Sequence, residues 1–108
     1  GLPEHPGHAL MKQQARGFGA MLTFEVRDKR EVPVLLKAVR LIRFAESLGG
    51  TESLLTYPIT QTHADVPPEV LAANGLTYRI LRLSVGIENI NDLRADLEQA
   101  FAAVQAAL

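Results

Sequence analysis

The segment from Asp92 to Leu108 is the feature that most constrains how this chain can fold. Asn89 or Asn91 can cap its start. Its apolar residues recur with the period of one face of an α-helix: Leu93, Leu97, Ala100, Phe101, Val104 and Leu108. A helix with a single apolar stripe has to bury that stripe against another layer of structure, so the rest of the chain has to supply that layer.

Alternating segments predict that the other layer is a sheet. "MLTFEV" (21–26) alternates apolar and polar residues, as a half-buried strand does. "LIRFAES" (41–47) and "TYRILRLSVG" (77–86) are predicted as two further strands, and "TESLLTYP" (51–58) can hold a fourth.

Three shorter helices are predicted between these strands. One runs from His8 to Ala15, a second carries an apolar stripe from Val32 to Val39, and a third follows Pro67-Pro68 and ends at Asn74-Gly75. We therefore expect an α/β fold, an α+β sandwich in which a small, mostly antiparallel sheet of three to four strands carries helices packed on one face. The length of 108 residues is that of a single domain.

Composition excludes several classes of function. The net charge is −1 and the basic residues are scattered, so neither nucleic-acid binding nor binding to an anionic membrane is predicted. No apolar run is long enough to span a bilayer, and no signal-peptide pattern is present. The chain has no cysteine, which removes thiol chemistry and fits a reducing compartment. We expect a cytoplasmic protein.

The histidines do not predict a metal site. His5 and His8 form a His-x-x-His pair in a loop-like segment, and His63 lies far from them in the sequence. A protein zinc site needs three or four ligands, and no third ligand stands at a supporting spacing.

The serines and lysines do not predict catalysis by this chain. Ser47 and Ser53 lack the G-x-S-x-G context of a nucleophile elbow. Lys12, Lys29 and Lys37 lie in or beside polar segments, unlike a desolvated Schiff-base lysine. We expect no catalytic residue here.

Arg82 is the most informative charged residue. Strand alternation places it on the face opposite Leu81 and Leu83, within an otherwise apolar strand. Two interpretations stay open. In one, Arg82 reaches water from an edge strand or pairs with Glu46 or Glu88. In the other, its guanidinium is a bidentate clamp for the carboxylate of a ligand.

Four stretches carry a resemblance to a known family. These stretches are "GLPEHPGHALMKQQARGFGAMLTFEV", "AESLGGTESLLTYP", "THADVPPE" and "ILRLSVGIENINDLRADLEQAF", and they are spread over essentially the whole chain. They resemble the C-terminal domain of the Cys/Met-metabolism enzymes, which depend on pyridoxal phosphate and have the aspartate-aminotransferase fold (fold type I). This family includes cystathionine γ-synthase, cystathionine γ-lyase, methionine γ-lyase, cystathionine β-lyase and O-acetylhomoserine sulfhydrylase.

The resemblance implies a role for several residues. In enzymes similar to this chain, the arginine that matches Arg82 binds the α-carboxylate of the amino-acid substrate. The serine that matches Ser47 assists from the facing strand end, largely through its backbone. Gly49 and Gly50 would keep that strand end clear of side chains, and Thr62 matches a threonine near the same pocket.

Two neighbouring residues bear on which member of the family the chain resembles most. Leu48, which we count with the carboxylate site, stands where bacterial cystathionine β-lyases carry a tryptophan. Glu46, the expected specificity residue, matches an acid of the γ-synthases and γ-lyases. The resemblance therefore favours cystathionine γ-synthase, which replaces the acyl group of an O-acyl-homoserine with cysteine. A cystathionine or methionine γ-lyase and an O-acetylhomoserine sulfhydrylase are the alternatives.

The resemblance also implies what this chain lacks. The Schiff-base lysine and the cofactor-binding residues belong to a large domain that precedes this one in the family. We therefore expect residues 1–19 to be a leading segment with a short helix, and 20–108 to be the small domain that binds the substrate carboxylate. By itself the chain should bind no cofactor and be inactive, and its exposed apolar face should favour self-association. The parent enzyme would be a homotetramer. A stand-alone binding or interaction domain is the non-enzyme alternative.

Overall fold

Helices and strands alternate along the chain in the computed structural model, which describes residues 1–61 and 64–108. In these residues there are four helices and four strands. In chain order they are α1 (His8–Gln14), β1 (Met21–Glu25), α2 (Glu31–Ala38), β2 (Arg43–Phe44), β3 (Leu54–Thr56), α3 (Pro68–Ala73), β4 (Ile80–Ser84) and α4 (Ile90–Ala107).

The strands form one mixed sheet with the order β1-β4-β3-β2. β4 pairs antiparallel with both β1 and β3, and β2 pairs parallel with β3. The predicted small, mostly antiparallel sheet is confirmed, and the fourth strand does lie within residues 51–58. β4 is an interior strand, so the edge-strand interpretation of Arg82 is wrong.

The two longest helices cover one face of this sheet. α2 and α4 pack on the side chains of that face, which include the fully buried Leu55 and Leu81. The prediction of helices packed on one face is therefore confirmed for α2 and α4. The core residues are Val26, Val32, Leu35, Ile42, Leu55, Leu81, Leu83, Leu93, Ala100 and Val104.

The predicted stripe of α4 is only partly buried. Leu93, Ala100 and Val104 are in the core, whereas Phe101 is 40% exposed and Leu108 is 59% exposed. The Phe101 ring instead makes an edge-to-face contact with the Phe24 ring, at 6.2 Å between centroids. None of the helices in the described part of the chain is long and apolar enough to cross a membrane.

β2 is much shorter than the predicted strand at 41–47. Ile42 comes just before it and donates its backbone N–H to the side chain of Asp96 in α4 rather than to the sheet. After Phe44, Ala45 still donates to the Leu55 carbonyl, and the chain then bends away. The strand is short because side chains take backbone groups on both sides of it: Asp96 accepts the N–H of Ile42, and beyond Phe44 the carbonyls of Ala45 and Glu46 accept from the side chains of Thr56 and Arg82.

Asp96 is a buried carboxylate that binds three consecutive backbone N–H groups. The N–H groups of Arg40, Leu41 and Ile42 donate to its two oxygens at 2.8, 2.9 and 2.8 Å. The Gln99 side chain donates to Asp96 as well, at 3.0 Å. Burial raises the pKa of Asp96, but these four donors outweigh that effect and hold the pKa below its ordinary value.

We expect Asp96→Asn to lower the free energy of unfolding by about 2–4 kcal/mol, because an amide offers one acceptor oxygen where the carboxylate offers two. A depressed native pKa stabilises the fold above the unfolded-state pKa of about 4, and this contribution is lost as the pH falls through the native pKa. The difference between wild type and variant, measured by urea unfolding of the full-length protein, should therefore be full at pH 7 and shrink below about pH 4.

Asp92→Asn is the control, because Asp92 lies exposed in the first turn of the same helix. An Asp96→Asn variant as stable as Asp92→Asn at pH 7 would contradict this account of the carboxylate.

Candidate functional site

Arg82 lies at the centre of the sheet face that α2 and α4 leave uncovered. It is the third residue of the interior strand β4. Thr23 of β1 is opposite it on one side and Thr56 of β3 is opposite it on the other. Strand alternation puts all three side chains on the same face, while Leu81 and Leu83 point into the core. The chain thus holds a half-buried guanidinium in the middle of the sheet face opposite the helices, with the buried Thr56 on one side and the exposed Thr23 on the other.

Neutral groups hold Arg82 in the described part of the chain. Its Nη2 donates to the backbone carbonyl of Glu46 at 2.8 Å and to the hydroxyl of Thr56 at 3.4 Å. Its Nε is buried and has no hydrogen-bond partner among the described residues. In the same part of the chain, no carboxylate forms an ion pair with it. Pairing with Glu46 or Glu88 is therefore not what the structure shows.

The segment Ser47–Gly50 crosses the end of β4 beside Arg82. Ser47 is exposed, and the Gly49 N–H donates to the buried Ser84 hydroxyl at 2.9 Å. Gly49 has a φ of +72°, a conformation that favours glycine over residues with a Cβ. A Cβ on Gly50 would meet only ordinary contacts. The positive φ thus explains why residue 49 is a glycine. For Gly50, the prediction remains that it keeps the strand end clear of side chains for a ligand.

Three residues join this loop to the end of β4. Glu88 accepts hydrogen bonds from the Ser53 backbone N–H at 2.7 Å and from the Ser53 hydroxyl at 2.8 Å. The Gly86 N–H in turn donates to the Ser53 hydroxyl at 2.8 Å. These hydrogen bonds from Ser53 lower the pKa of Glu88, so its carboxylate stays ionised at neutral pH.

Gly86 is the glycine where the chain approaches itself most closely. A Cβ there would clash with the Thr51 carbonyl, and would lie 2.7 Å from the Glu52 carbonyl carbon and 2.7 Å from a Glu88 carboxylate oxygen. Sequence reasoning singled out the Gly49-Gly50 pair and missed this position. The sequence signal for this contact was the Gly86-Ile87-Glu88 segment, which places a glycine and an acid just after a predicted strand.

The other predicted site residues lie around the same loop. Glu46 contributes its backbone carbonyl to Arg82. Leu48 is 54% exposed and, together with Met21 and Val85, lines a cleft of about 220 Å³. Thr62 lies outside the described residues. The structure therefore brings residues 46–50 beside Arg82 and Ser84, on the sheet face opposite the helices.

This arrangement of sheet and loop agrees with known proteins. The family model described as Cys/Met metabolism PLP-dependent enzyme matches residues 1–102. The chain belongs to this family. The cystathionine gamma-synthase of Haemophilus influenzae is 56% identical over 84 residues, which cover 78% of this chain and 23% of that protein. The Bacillus subtilis cystathionine beta-lyase MetC is 48% identical over 100 residues, 93% of this chain and 26% of that protein.

A solved structure of this family has the same fold. The cystathionine gamma synthase of Xanthomonas oryzae pv. oryzae, in complex with aminoacrylate and cysteine, superimposes with a TM-score of 0.91 and 44% identity. That alignment covers 100% of this chain and 28% of the enzyme. The chain spans about a quarter of the length of the relatives it matches.

The residues of this chain do not fit the cofactor of the family. Pyridoxal phosphate enzymes hold their cofactor as a Schiff base with a lysine, and such a lysine is activated by desolvation or by a neighbouring cation. Lys12, Lys29 and Lys37 are all exposed. The open sheet face presents Arg82, which suits a carboxylate rather than a Schiff base.

We expect Gly86→Ala to lower the free energy of unfolding of the full-length protein by about 3 kcal/mol, because backbone atoms that cannot move aside would meet the new methyl group. Thermal or urea unfolding measures the change. Gly17→Ala is the matched control, since a Cβ there would meet nothing within 4 Å. Equal stability of the two variants would contradict the close packing at Gly86.

Proposed function

We propose that this chain is the substrate-carboxylate-binding domain of a pyridoxal-phosphate-dependent transsulfuration enzyme. The observation that carries the proposal is the guanidinium of Arg82, which lies on the sheet face opposite the helices and, in the described part of the chain, forms no ion pair and has a buried Nε without a hydrogen-bond partner. A guanidinium has five N–H donors, and a carboxylate is the ligand whose two oxygens match its planar edge. An α-amino acid brings such a carboxylate.

Neutral acceptors leave Arg82 available for this ligand. The Glu46 carbonyl and the Thr56 hydroxyl accept from Nη2 and so hold the guanidinium in place without cancelling its charge. An ionised ligand would supply the missing countercharge, and charge-assisted hydrogen bonds are roughly twice as strong as neutral ones. The loop at Ser47 lies beside the guanidinium and would approach the same carboxylate through its backbone.

The cofactor would come from a different part of the full-length protein. Pyridoxal phosphate, when bound, supplies the electron sink that the substrate's α-carbon requires. Because the lysines of this chain are exposed, we infer that the residues described here bind and orient the amino-acid substrate, while a second domain holds the cofactor.

Within the family we propose the activity of a cystathionine γ-synthase, with replacement of the acyl group of an O-acyl-homoserine by cysteine. The 56% identity to a cystathionine gamma-synthase supports this choice. Leu48 and Glu46 support it too, through the resemblances given above. A γ-lyase or an O-acetylhomoserine sulfhydrylase is the alternative.

We expect Arg82→Ala in the full-length protein to lower kcat/KM for an O-acyl-L-homoserine about 100-fold or more, because a desolvated charge partner of the carboxylate is removed. The measurement is steady-state kinetics, with the cofactor absorbance recorded in parallel. Arg82→Lys should recover part of the activity, since it keeps the charge but loses the planar fork.

Arg79→Ala is the matched control. Arg79 immediately precedes β4, and its guanidinium binds the Glu25 carboxylate at 2.9 Å. The Arg79→Ala variant should have a kcat/KM within about twofold of wild type, because an exposed ion pair contributes little to stability. An Arg82→Ala variant as active as Arg79→Ala would contradict the proposal that Arg82 binds the substrate carboxylate.

A product assay tests the choice of family member. Supplied with cysteine and an O-acyl-L-homoserine, the full-length protein should form cystathionine as its main product. Release of α-ketobutyrate as the main product would indicate a γ-lyase, and faster turnover with sulfide than with cysteine would indicate a sulfhydrylase. Either result would overturn the γ-synthase assignment and leave the role of Arg82 standing.

A further inference from the structure

We infer that Thr56 is a positioning residue that orients Arg82 for the substrate carboxylate. This inference rests on the proposed function and deepens it. Thr56 is fully buried in β3 and is the direct cross-strand neighbour of Arg82. Its hydroxyl is the side-chain group of β3 that contacts the guanidinium, at 3.4 Å from Nη2.

The direction of this hydroxyl is fixed by a second hydrogen bond. A threonine hydroxyl has one hydrogen and two lone pairs. Its hydrogen is donated to the backbone carbonyl of Ala45, so only lone pairs remain for Arg82. The side chain is β-branched and buried, which restricts its rotation about χ1. Thr56 therefore presents a fixed acceptor to a guanidinium that is otherwise held by one backbone carbonyl.

The same hydroxyl links the guanidinium to the loop that carries Ser47. Ala45 and Glu46 are consecutive, and their carbonyls accept from Thr56 and from Arg82 respectively. Ala45 is also tied to β3 through its N–H, which donates to Leu55 at 3.1 Å. One side chain thus fixes the distance between the cation and the backbone that flanks it.

The consequence is preorganisation. A guanidinium that is oriented before the ligand arrives does not lose rotational freedom when the carboxylate binds. Removal of the Thr56 hydroxyl frees Nη2 on one side and leaves the Ala45 carbonyl without its donor. The binding of a carboxylate should weaken, while a ligand without a carboxylate should be unaffected.

The test is direct binding of L-norleucine, an α-amino acid without a leaving group on its γ-carbon, to the full-length holoenzyme by titration calorimetry, with L-norleucinamide as the ligand that lacks the carboxylate. Thr56→Val should raise the Kd of norleucine about 5- to 10-fold and leave the Kd of norleucinamide within twofold, since one hydrogen bond is lost. Thr56→Ser keeps the hydroxyl and should restore binding to within twofold of wild type. For turnover, KM should rise and kcat should change little.

Thr23→Val is the matched control. Thr23 lies opposite Arg82 on the other neighbouring strand, and no hydrogen bond joins its side chain to Arg82 in the part of the chain that the structure describes. It should bind norleucine as wild type does. If Thr56→Val does not fold, Thr56→Cys replaces it, because a thiol is only a weak donor and acceptor, and the norleucine Kd should again rise.

Several results would overturn the inference. One is a Kd for norleucine within twofold of wild type in Thr56→Val or in its replacement. Another is a loss of norleucinamide binding equal to the loss of norleucine binding in that variant. A third is a Thr56→Ser variant that binds norleucine as weakly as Thr56→Val does. The inference and the proposed function fail separately. If Arg82→Ala also binds norleucine normally, the carboxylate site itself is wrong. If Arg82→Ala loses binding and Thr56→Val does not, only the positioning role is wrong.

Discussion

The contact between Glu88 and Ser53 is the interaction on which the shape of the open sheet face depends. Glu88 follows β4 and Ser53 precedes β3, so the two hydrogen bonds between them close the loop 46–53 onto the end of the neighbouring strand. Gly86 lets the two backbones meet without a side chain between them. This contact fixes the backbone conformation of the loop whose Glu46 carbonyl accepts from Arg82.

A second acid, Asp96, fixes the backbone on the N-terminal side of β2. Asp96 binds the backbone N–H groups of residues 40–42, just before this two-residue strand. A strand so short makes few ladder hydrogen bonds, and its pairing with β3 is parallel. We infer that β2 is located mainly by two carboxylates, one just before α4 and one within it. The helix that supplies the apolar stripe therefore also carries or adjoins the groups that hold the site's framework.

Periodicity in the sequence was sufficient for the elements that pack by their apolar faces. The alternation of "MLTFEV" predicted β1 to within one residue, and the stripe after Asp92 predicted α4. Asp96 could not be found in this way, because its partners lie more than fifty residues earlier and a single acid on a helix usually faces water. The predicted β2 was too long for the same reason. The distant Asp96 carboxylate accepts the N–H of Ile42 just before the strand, and the side chains of Thr56 and Arg82 donate to the carbonyls of Ala45 and Glu46 just after it.

The candidate site was predictable in part. Strand alternation placed Arg82 on the face opposite the core, but the choice between pairing within the chain and a free clamp needed the sheet order and the partners of Glu88. Gly86 was missed because its importance comes from the approach of residues 51 and 52, which is a tertiary contact with no local pattern. Residues whose role depends on one distant partner are the ones that a single sequence leaves undetermined.

The acceptors of Arg82 have one further consequence. A backbone carbonyl and a hydroxyl are dipoles, so they orient the guanidinium but leave its full unit of charge on the open face. A cation without an ion-pair partner attracts anions before contact, and dissolved ions weaken that attraction over roughly 10 Å at 0.1 M salt. Under the proposed function, the rate at which a carboxylate associates with Arg82 should therefore depend on ionic strength, much more than it would if an acid of the protein neutralised this arginine.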